Sequence, residues 1–181
     1  TDSLYYLRTF DDAQKISELA ENARRVLILG ASFIGMEVAA SLRNRNIEVE
    51  LAAPESVPLS IVFGDRVGKR FQKLHEENGV KLHMGSTAER IEGENPVRVY
   101  LSDSTDLEVD FVVAGLGVDP STSFLSQTGL LENKAVRVNG MLQTDDKDIY
   151  AAGDVALYPE LRTGELQRIE HWTVAESQGR H

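Results

Sequence analysis

Short continuous apolar runs alternate along this chain with stretches in which apolar residues recur every three or four positions. Val26-Leu27-Ile28-Leu29 is one such run, closed by Gly30, and it predicts a parallel strand buried on both faces. Ile34, Val38 and Leu42 then fall on one side of a helix. Ile47 to Ala52 reads as the next strand. There Val49 and Leu51 alternate with Glu48 and Glu50, which predicts a strand exposed on one face. Upstream, Thr9 is a helix cap, Asp11 and Asp12 suit the positive end of a helix, and Ala13, Ile16, Leu19 and Ala20 form its apolar stripe. Downstream, Val67, Phe71 and Leu74 give a further helix a core-facing stripe, and Gly79 closes it. Val80 to Met84 reads as another buried strand.

From Thr87 to Val109 the pattern changes. Arg90-Ile91, Val97 to Leu101 and Leu107 to Val109 are short strands separated by Gly93, Asn95-Pro96 and Asp103-Ser104. That is a β-meander standing where a crossover helix is usual. Phe111 to Ala114 returns as an apolar strand ended by Gly115-Leu116-Gly117. The reading is an α/β fold: a Rossmann-like parallel sheet with a β-meander crossover. After Pro120 a short helix is expected around Ser123 to Gln127, then strands at Ala135 to Val138, Met141 to Thr144 and Ile149 to Ala152. We place a domain boundary near residue 130. The stretch from Ile169 is helix-forming and stops at His181 in mid-pattern, so a piece of a longer chain is expected.

A chain of 181 residues, 41% apolar, suits one domain with an appendage. Its net charge of −10 argues against nucleic acid, because nothing would neutralise a phosphate backbone. No apolar run approaches the ~20 residues of a membrane span, and no signal-peptide pattern opens the chain. With no cysteine there is no disulfide, thiolate zinc site or iron–sulfur ligand in this stretch. The histidines match no metal-ligand spacing; His75 and His83 read as ordinary surface or packing residues. No metal site is expected.

Four segments carry candidate chemistry. Gly30-Ala31-Ser32-Phe33-Ile34-Gly35 follows a strand and opens a helix. Gly30 permits the tight turn, Gly35 permits close helix–strand packing, and the helix start offers free N–H groups to a pyrophosphate. Ser32 stands where the dinucleotide pattern has its middle glycine, and glycine turns between strand and helix are common in any case. The second feature is an acid for the adenosine ribose. Ala53 occupies the expected strand tip, Glu55 lies two residues on, and Glu50 has the textual spacing but reads as a solvent-facing mid-strand residue. No arginine pair follows to meet a 2′-phosphate, which favours NAD over NADP. The third is Gly115-Leu116-Gly117-Val118-Asp119-Pro120: Gly117 either lets backbone lie against a flat ligand or simply frees a strand exit. The fourth is Ile149-Tyr150-Ala151-Ala152-Gly153-Asp154, either a buried strand ending in a cofactor seat or an ordinary Gly-Asp turn. Gly64 to Arg70 has the look of a P-loop. Its glycines are one residue too close and Arg70 replaces the hydroxyl residue, so it reads as a polar helix with a core stripe.

In this order the four features resemble the two-dinucleotide flavoproteins of the FAD/NAD(P)-dependent pyridine nucleotide-disulfide oxidoreductase superfamily. Within it the chain is similar to the ferredoxin-reductase and apoptosis-inducing-factor group, and most to its Rieske-associated members. Ile34-Gly35-Met36-Glu37-Val38-Ala39-Ala40 and the tail Glu170 to Arg180 carry that closer likeness. The resemblance implies that residues 1–130 are an NAD-binding domain and 131–181 an incomplete, returning segment of an FAD-binding domain. It implies that Gly30, Ser32, Phe33, Ile34 and Gly35 hold the NAD pyrophosphate. Glu37, on the first turn of its helix, lies near the nicotinamide carboxamide. Glu55 substitutes for the ribose acid, and Gly117 flanks the nicotinamide. Gly153 and Asp154 seat the FAD ribityl chain. Trp172 lines the flavin, or else is a core aromatic at a helix start. The implied chemistry is hydride transfer from NADH to FAD, then single electrons to a ferredoxin- or Rieske-type iron–sulfur partner. No side chain is needed as general acid or base. A redox-sensing protein like apoptosis-inducing factor and a disulfide-reductase relative stay open as alternatives. So does a homodimer. The family's own flavin-binding glycine segment is missing from this stretch, so weak FAD retention by this chain alone is expected. A cytoplasmic setting, or a mitochondrial one in a eukaryote, is the matching expectation.

Overall fold

The apolar runs pair with one another. In the computed structural model, which describes residues 3–180, five strands form one parallel sheet in the order β1-β8-β2-β3-β4. These are β1 (Leu4–Tyr6), β2 (Arg25–Leu29), β3 (Glu48–Ala53), β4 (Val80–Met84) and β8 (Phe111–Ala114). The register sets Ile28 beside Leu51 and Val113, so the most apolar residues share the sheet centre. Three helices join the first strands: α1 (Phe10–Ala20), α2 (Phe33–Arg43) and α3 (Ser60–Glu77). α1 begins as its sequence predicts. Thr9 Oγ1 accepts from the Asp12 amide at 3.2 Å, and the Asp12 carboxylate accepts from the Thr9 amide at 2.7 Å.

Alternate residues of the strands feed two separate cores. Ile28, Val49, Leu51, Phe111 and Val113 pack with Ile16, Met36, Ala39 and Leu42 on the helical side. Leu27, Leu29, Ala52 and Val112 pack with Val97, Val99, Leu101, Leu107 and Val109 on the other. That second layer is the expected meander: β5 (Ala88–Glu92), β6 (Val97–Leu101) and β7 (Asp106–Val109), all antiparallel. It covers the sheet face that a crossover helix would otherwise cover.

Three expectations fail here in whole or in part. β3 is not exposed on one face: from Val49 to Ala53 every residue is buried, and Glu50 with them. The meander roofs that face, and the carboxylate is met by donors on both neighbouring strands, Arg25 on β2 and Lys81 on β4. Of the stripe Val67, Phe71, Leu74 only Phe71 packs against the core; Val67 and Leu74 stay over 40% exposed. α3 also docks through Gly68, where a methyl group would collide with the Pro58 carbonyl. That contact is what the P-loop look-alike supplies. The helix also breaks at Gly64 into a one-turn lead and a long body. β4 is the sheet edge, so only Val80 in it is fully buried.

The chain divides into two compact units, the first running to Gly117 and the second starting at Val118. The second unit has a four-stranded sheet of β9 (Leu131–Glu132), β10 (Ala135–Arg137), β11 (Ala156–Pro159) and β12 (Leu166–Gln167), and the helix α4 (Trp172–Gly179). Its core is Val136, Val138 and Ala156 with Leu125, Leu131, Leu142 and Tyr158 around them. The helix expected at Ser123 to Gln127 is a single 3-10 turn, Ser123–Leu125. The strands expected at Met141 to Thr144 and Ile149 to Ala152 reduce to one isolated bridge, Gln143 to Tyr150. Tyr150 is 62% exposed, so no buried strand leads into Gly153. With one bridge in place of a ladder, that segment has no sheet to hide it.

Candidate functional site

The turn between β2 and α2 is built by three glycines in contact. A side chain at Gly30 would strike the carbonyl of Gly115, and one at Gly35 would strike the carbonyl of Gly30. At Gly115 an added carbon would sit 3.0 Å from the Gly35 amide nitrogen. Backbone bonds fix the three segments: Gly30 donates to the Ala52 carbonyl at 2.8 Å and Gly115 to that of Leu29 at 2.7 Å. The start of α2 is thereby drawn tightly onto the sheet's C-terminal edge. Ser32 is the N-cap, yet its hydroxyl makes no capping bond. First-turn amides have no partner inside a helix, and here the cap residue supplies none. Ser32 and Phe33 are exposed and Ile34 is half-buried, so this rim of positive partial charge is open to a ligand.

Glu55 stands on the same rim. The Leu59 amide donates to the Ala31 carbonyl at 3.0 Å, which ties the segment after β3 to the glycine turn. The Gly85 amide donates to the Glu55 carbonyl at 2.9 Å and fixes its backbone. The side chain is half-buried, and its Oε2 is buried with no hydrogen-bond partner. A desolvated carboxylate oxygen without a donor is costly unless a ligand completes it. Together the glycine knot and this orphaned acceptor fit the diphosphate and ribose of a dinucleotide.

The other predicted residues of this unit are placed less directly. Glu37 lies on the second turn of α2, not the first; it is exposed and borders a groove against α1 with Leu7, Ile16 and Arg45. Gly117 has φ +96° and nothing within 4 Å of where a Cβ would stand, so it is an open position. Gly115 is the packed one. Its signal was visible as the first glycine of Gly-Leu-Gly, but no local pattern says which glycine meets α2. Phe33 meets Phe63 edge-on at 5.6 Å, and Phe63 stacks on Phe71 at 6.4 Å.

In the second unit, Gly153 and Asp154 open a 3-10 turn. Trp172 begins α4 and is 72% exposed, which removes its reading as a core aromatic of this unit. It stacks on His171 at 5.9 Å. Among the described residues no group of three or more His, Cys, Asp or Glu is placed to hold a metal, and no helix is long and apolar enough to cross a membrane.

Sequence reasoning also missed a charged cluster under the meander. Glu50 is 2% exposed. It pairs with Arg25 through Nη2, lies 2.6 Å from His83 Nε2 and 3.7 Å from Lys81 Nζ. Burial alone would raise its carboxyl, but hydrogen bonds from Arg25 and His83 outweigh that and hold it below the usual carboxylate range. His83 is therefore no ordinary surface histidine. The cue was in the register: Glu50 faces Lys81 and Leu27, and only strand pairing reveals it.

Comparison with known proteins agrees with this architecture. The model of the family described as pyridine nucleotide-disulphide oxidoreductase matches residues 1–179. Apoptosis-inducing factor 3 of Homo sapiens is 35% identical over 184 residues, covering 99% of this chain and 30% of that protein. The ferredoxin--NAD(+) reductase component of the anthranilate 1,2-dioxygenase system of Burkholderia cepacia is 34% identical over 175 residues, 96% of this chain and 43% of that one. The crystal structure of the covalent putidaredoxin reductase–putidaredoxin complex superposes with a TM-score of 0.92 at 31% identity, over 98% of this chain and 44% of the solved one. The chain thus spans less than half the length of each. With a family model that matches residues 1–179 and a fold of parallel sheet, meander crossover and glycine-built turn, this chain belongs to the pyridine nucleotide-disulphide oxidoreductase family.

Proposed function

We propose that this chain is the NAD(H)-binding part, with a returning piece of the FAD-binding part, of a flavoprotein reductase that serves an iron–sulfur electron carrier. The observation that carries the reading is the conjunction, on one rim, of the uncapped start of α2 and the unpartnered Glu55 Oε2. The amides following Gly30, from Ser32 to Gly35, bind the diphosphate. Glu55 accepts from the adenosine ribose hydroxyls and disfavours a 2′-phosphate by charge, so NAD is preferred to NADP. Gly117 and Glu37 face the nicotinamide end. From residue 131 onward the chain contributes to the flavin seat, with Gly153 and Asp154 at the sugar-alcohol chain and Trp172 beside the ring system. When both cofactors are bound, the nicotinamide supplies a hydride and the flavin converts it into single electrons. The protein's own share is to bind, orient and exclude water. Two relatives support an iron–sulfur partner: one is named a ferredoxin--NAD(+) reductase, and the other is joined to putidaredoxin.

Calorimetric titration with NADH and NADPH, repeated for Glu55→Ala, tests the nucleotide site. Tighter NADH binding that Glu55→Ala weakens supports it; equal binding by both proteins removes Glu55 from the site. Steady NADH turnover by the intact protein with a ferredoxin-type acceptor tests the activity. The likeness to apoptosis-inducing factor 3 favours a second reading, redox sensing, which a slow, long-lived reduced complex without turnover would support.

A further inference from the structure

The Gly153–Asp154 turn is held from both ends by side chains to which no role has yet been assigned. Gln178, late in α4, accepts a hydrogen bond from the Gly153 amide through Oε1 at 2.7 Å. Arg168 donates from Nη1 to the Asp154 backbone carbonyl at 3.2 Å, and the same Nη1 lies 2.5 Å from the Glu170 carboxylate. Gly153 is buried, and a carbon added to it would sit 3.2 Å from Ala175 Cβ, so α4 lies directly on the turn. The Asp154 carboxylate accepts no hydrogen bond among the described residues, although the residue is half-buried. The turn is thus locked at the Gly153 amide and the Asp154 carbonyl while the Asp154 carboxylate is left for something else.

We propose that Gln178 and Arg168 are positioning residues for the flavin: they hold the turn at the Gly153 amide and at the Asp154 carbonyl and so aim the Asp154 carboxylate at a polyol hydroxyl. This rests on the reading that Asp154 faces the flavin's sugar-alcohol chain. A backbone free to rotate would spread that carboxylate over several directions, and the hydrogen bond would have to be organised at the moment of binding. Arg168 also links the turn to Glu170, which immediately precedes His171 and Trp172. The two segments assigned to the flavin are therefore mechanically joined within this unit.

The test uses the intact flavoprotein and reads FAD release by the recovery of flavin fluorescence. Gln178→Met, which keeps length but loses the acceptor, should weaken FAD binding about tenfold, the worth of one well-placed hydrogen bond. Gln178→Glu, which keeps an acceptor, should stay within about threefold of wild type. Because Gln178 acts through Asp154, adding Gln178→Met to Asp154→Asn should weaken binding little further; a merely structural role would give additive losses. Should Gln178→Met fail to fold, Arg168→Met makes the same test from the carbonyl side. If Asp154→Asn loosens FAD while neither Gln178→Met nor Arg168→Met does, the positioning role is overturned and the Asp154 assignment stands. If Asp154→Asn leaves FAD binding unchanged, the flavin-seat reading falls and the positioning role falls with it.

Discussion

His83 Nε2 lies 2.6 Å from Glu50 Oε2, deep under the meander, and this pair joins the edge strand β4 to its neighbour β3. On the other side Arg25 of β2 reaches the same carboxylate, so three adjacent strands converge on one charge. His83 Nδ1 in turn stands 3.7 Å from Asp103, at the turn between β6 and β7, which draws the meander onto the sheet. A carboxylate in the middle of a parallel strand is tolerable only because cations reach it from both flanks.

Removing that charge should therefore destabilise the first unit. Glu50→Gln keeps the shape but leaves Arg25 and His83 facing a neutral amide. Loss of one partner of a fully buried pair costs about 3–5 kcal/mol. The Arg25 side chain is 33% exposed, so water recovers part of its solvation. We expect about 2 kcal/mol, read as a lower urea midpoint with an unchanged slope. A change within about 0.5 kcal/mol, the range of ordinary surface substitutions, would mean that the cluster contributes nothing net.

The same pair predicts a pH dependence. The folded-state carboxyl of Glu50 titrates below its unfolded counterpart. Its contribution is thus complete above the ordinary carboxylate range and disappears as pH falls through the folded value. The stability gap between wild type and Glu50→Gln should be full at pH 7 and narrow below about pH 5. Parallel urea unfolding of the two proteins from pH 7 down to pH 3.5 measures this. A gap that stays constant across that range would show that the charge on Glu50 is not what matters.

The glycine knot gives a graded prediction. At Gly35 an added methyl group would collide with the Gly30 carbonyl, which the sheet holds in place. Overpacking against fixed backbone costs about 1–3 kcal/mol, and alanine's better helix propensity returns only about 1 kcal/mol of that. At Gly115 the nearest atom is 3.0 Å away, so a small shift suffices. Gly35→Ala should therefore lower the melting temperature more than Gly115→Ala and weaken NADH binding with it. The reverse order in thermal unfolding would refute the close-packed turn.

Most of the first unit could be read in the sequence because its signals are local. A continuous apolar run bounded by glycine specifies a buried parallel strand, and Thr9 with Asp12 specifies a helix start without reference to anything distant. What failed was information that lives in strand register. Glu50 looks solvent-facing by alternation, and only its pairing with Arg25, Lys81 and His83 explains why it is buried. Gly115 and Gly117 look alike in sequence, yet one touches α2 and the other faces open space. In the second unit, Ile149 to Ala152 has strand composition but gains a single bridge, because composition does not supply a partner.

Glu55 separates function from stability. Its Oε2 is buried and unpartnered, so the folded protein bears a desolvation cost there and receives no hydrogen bond in return. Glu55→Ala should consequently leave the melting temperature unchanged or raise it slightly, whereas any structural acid would lower it. The same substitution should weaken NADH binding by about tenfold or more, the worth of a hydrogen bond to a charged acceptor. It should weaken NADPH binding less, since the carboxylate that repels a 2′-phosphate is gone. Differential scanning calorimetry and titration calorimetry on the same two samples decide the matter. A variant that melts several degrees lower and binds NADH as before would mark Glu55 as structural and return the ribose acid to an unassigned position.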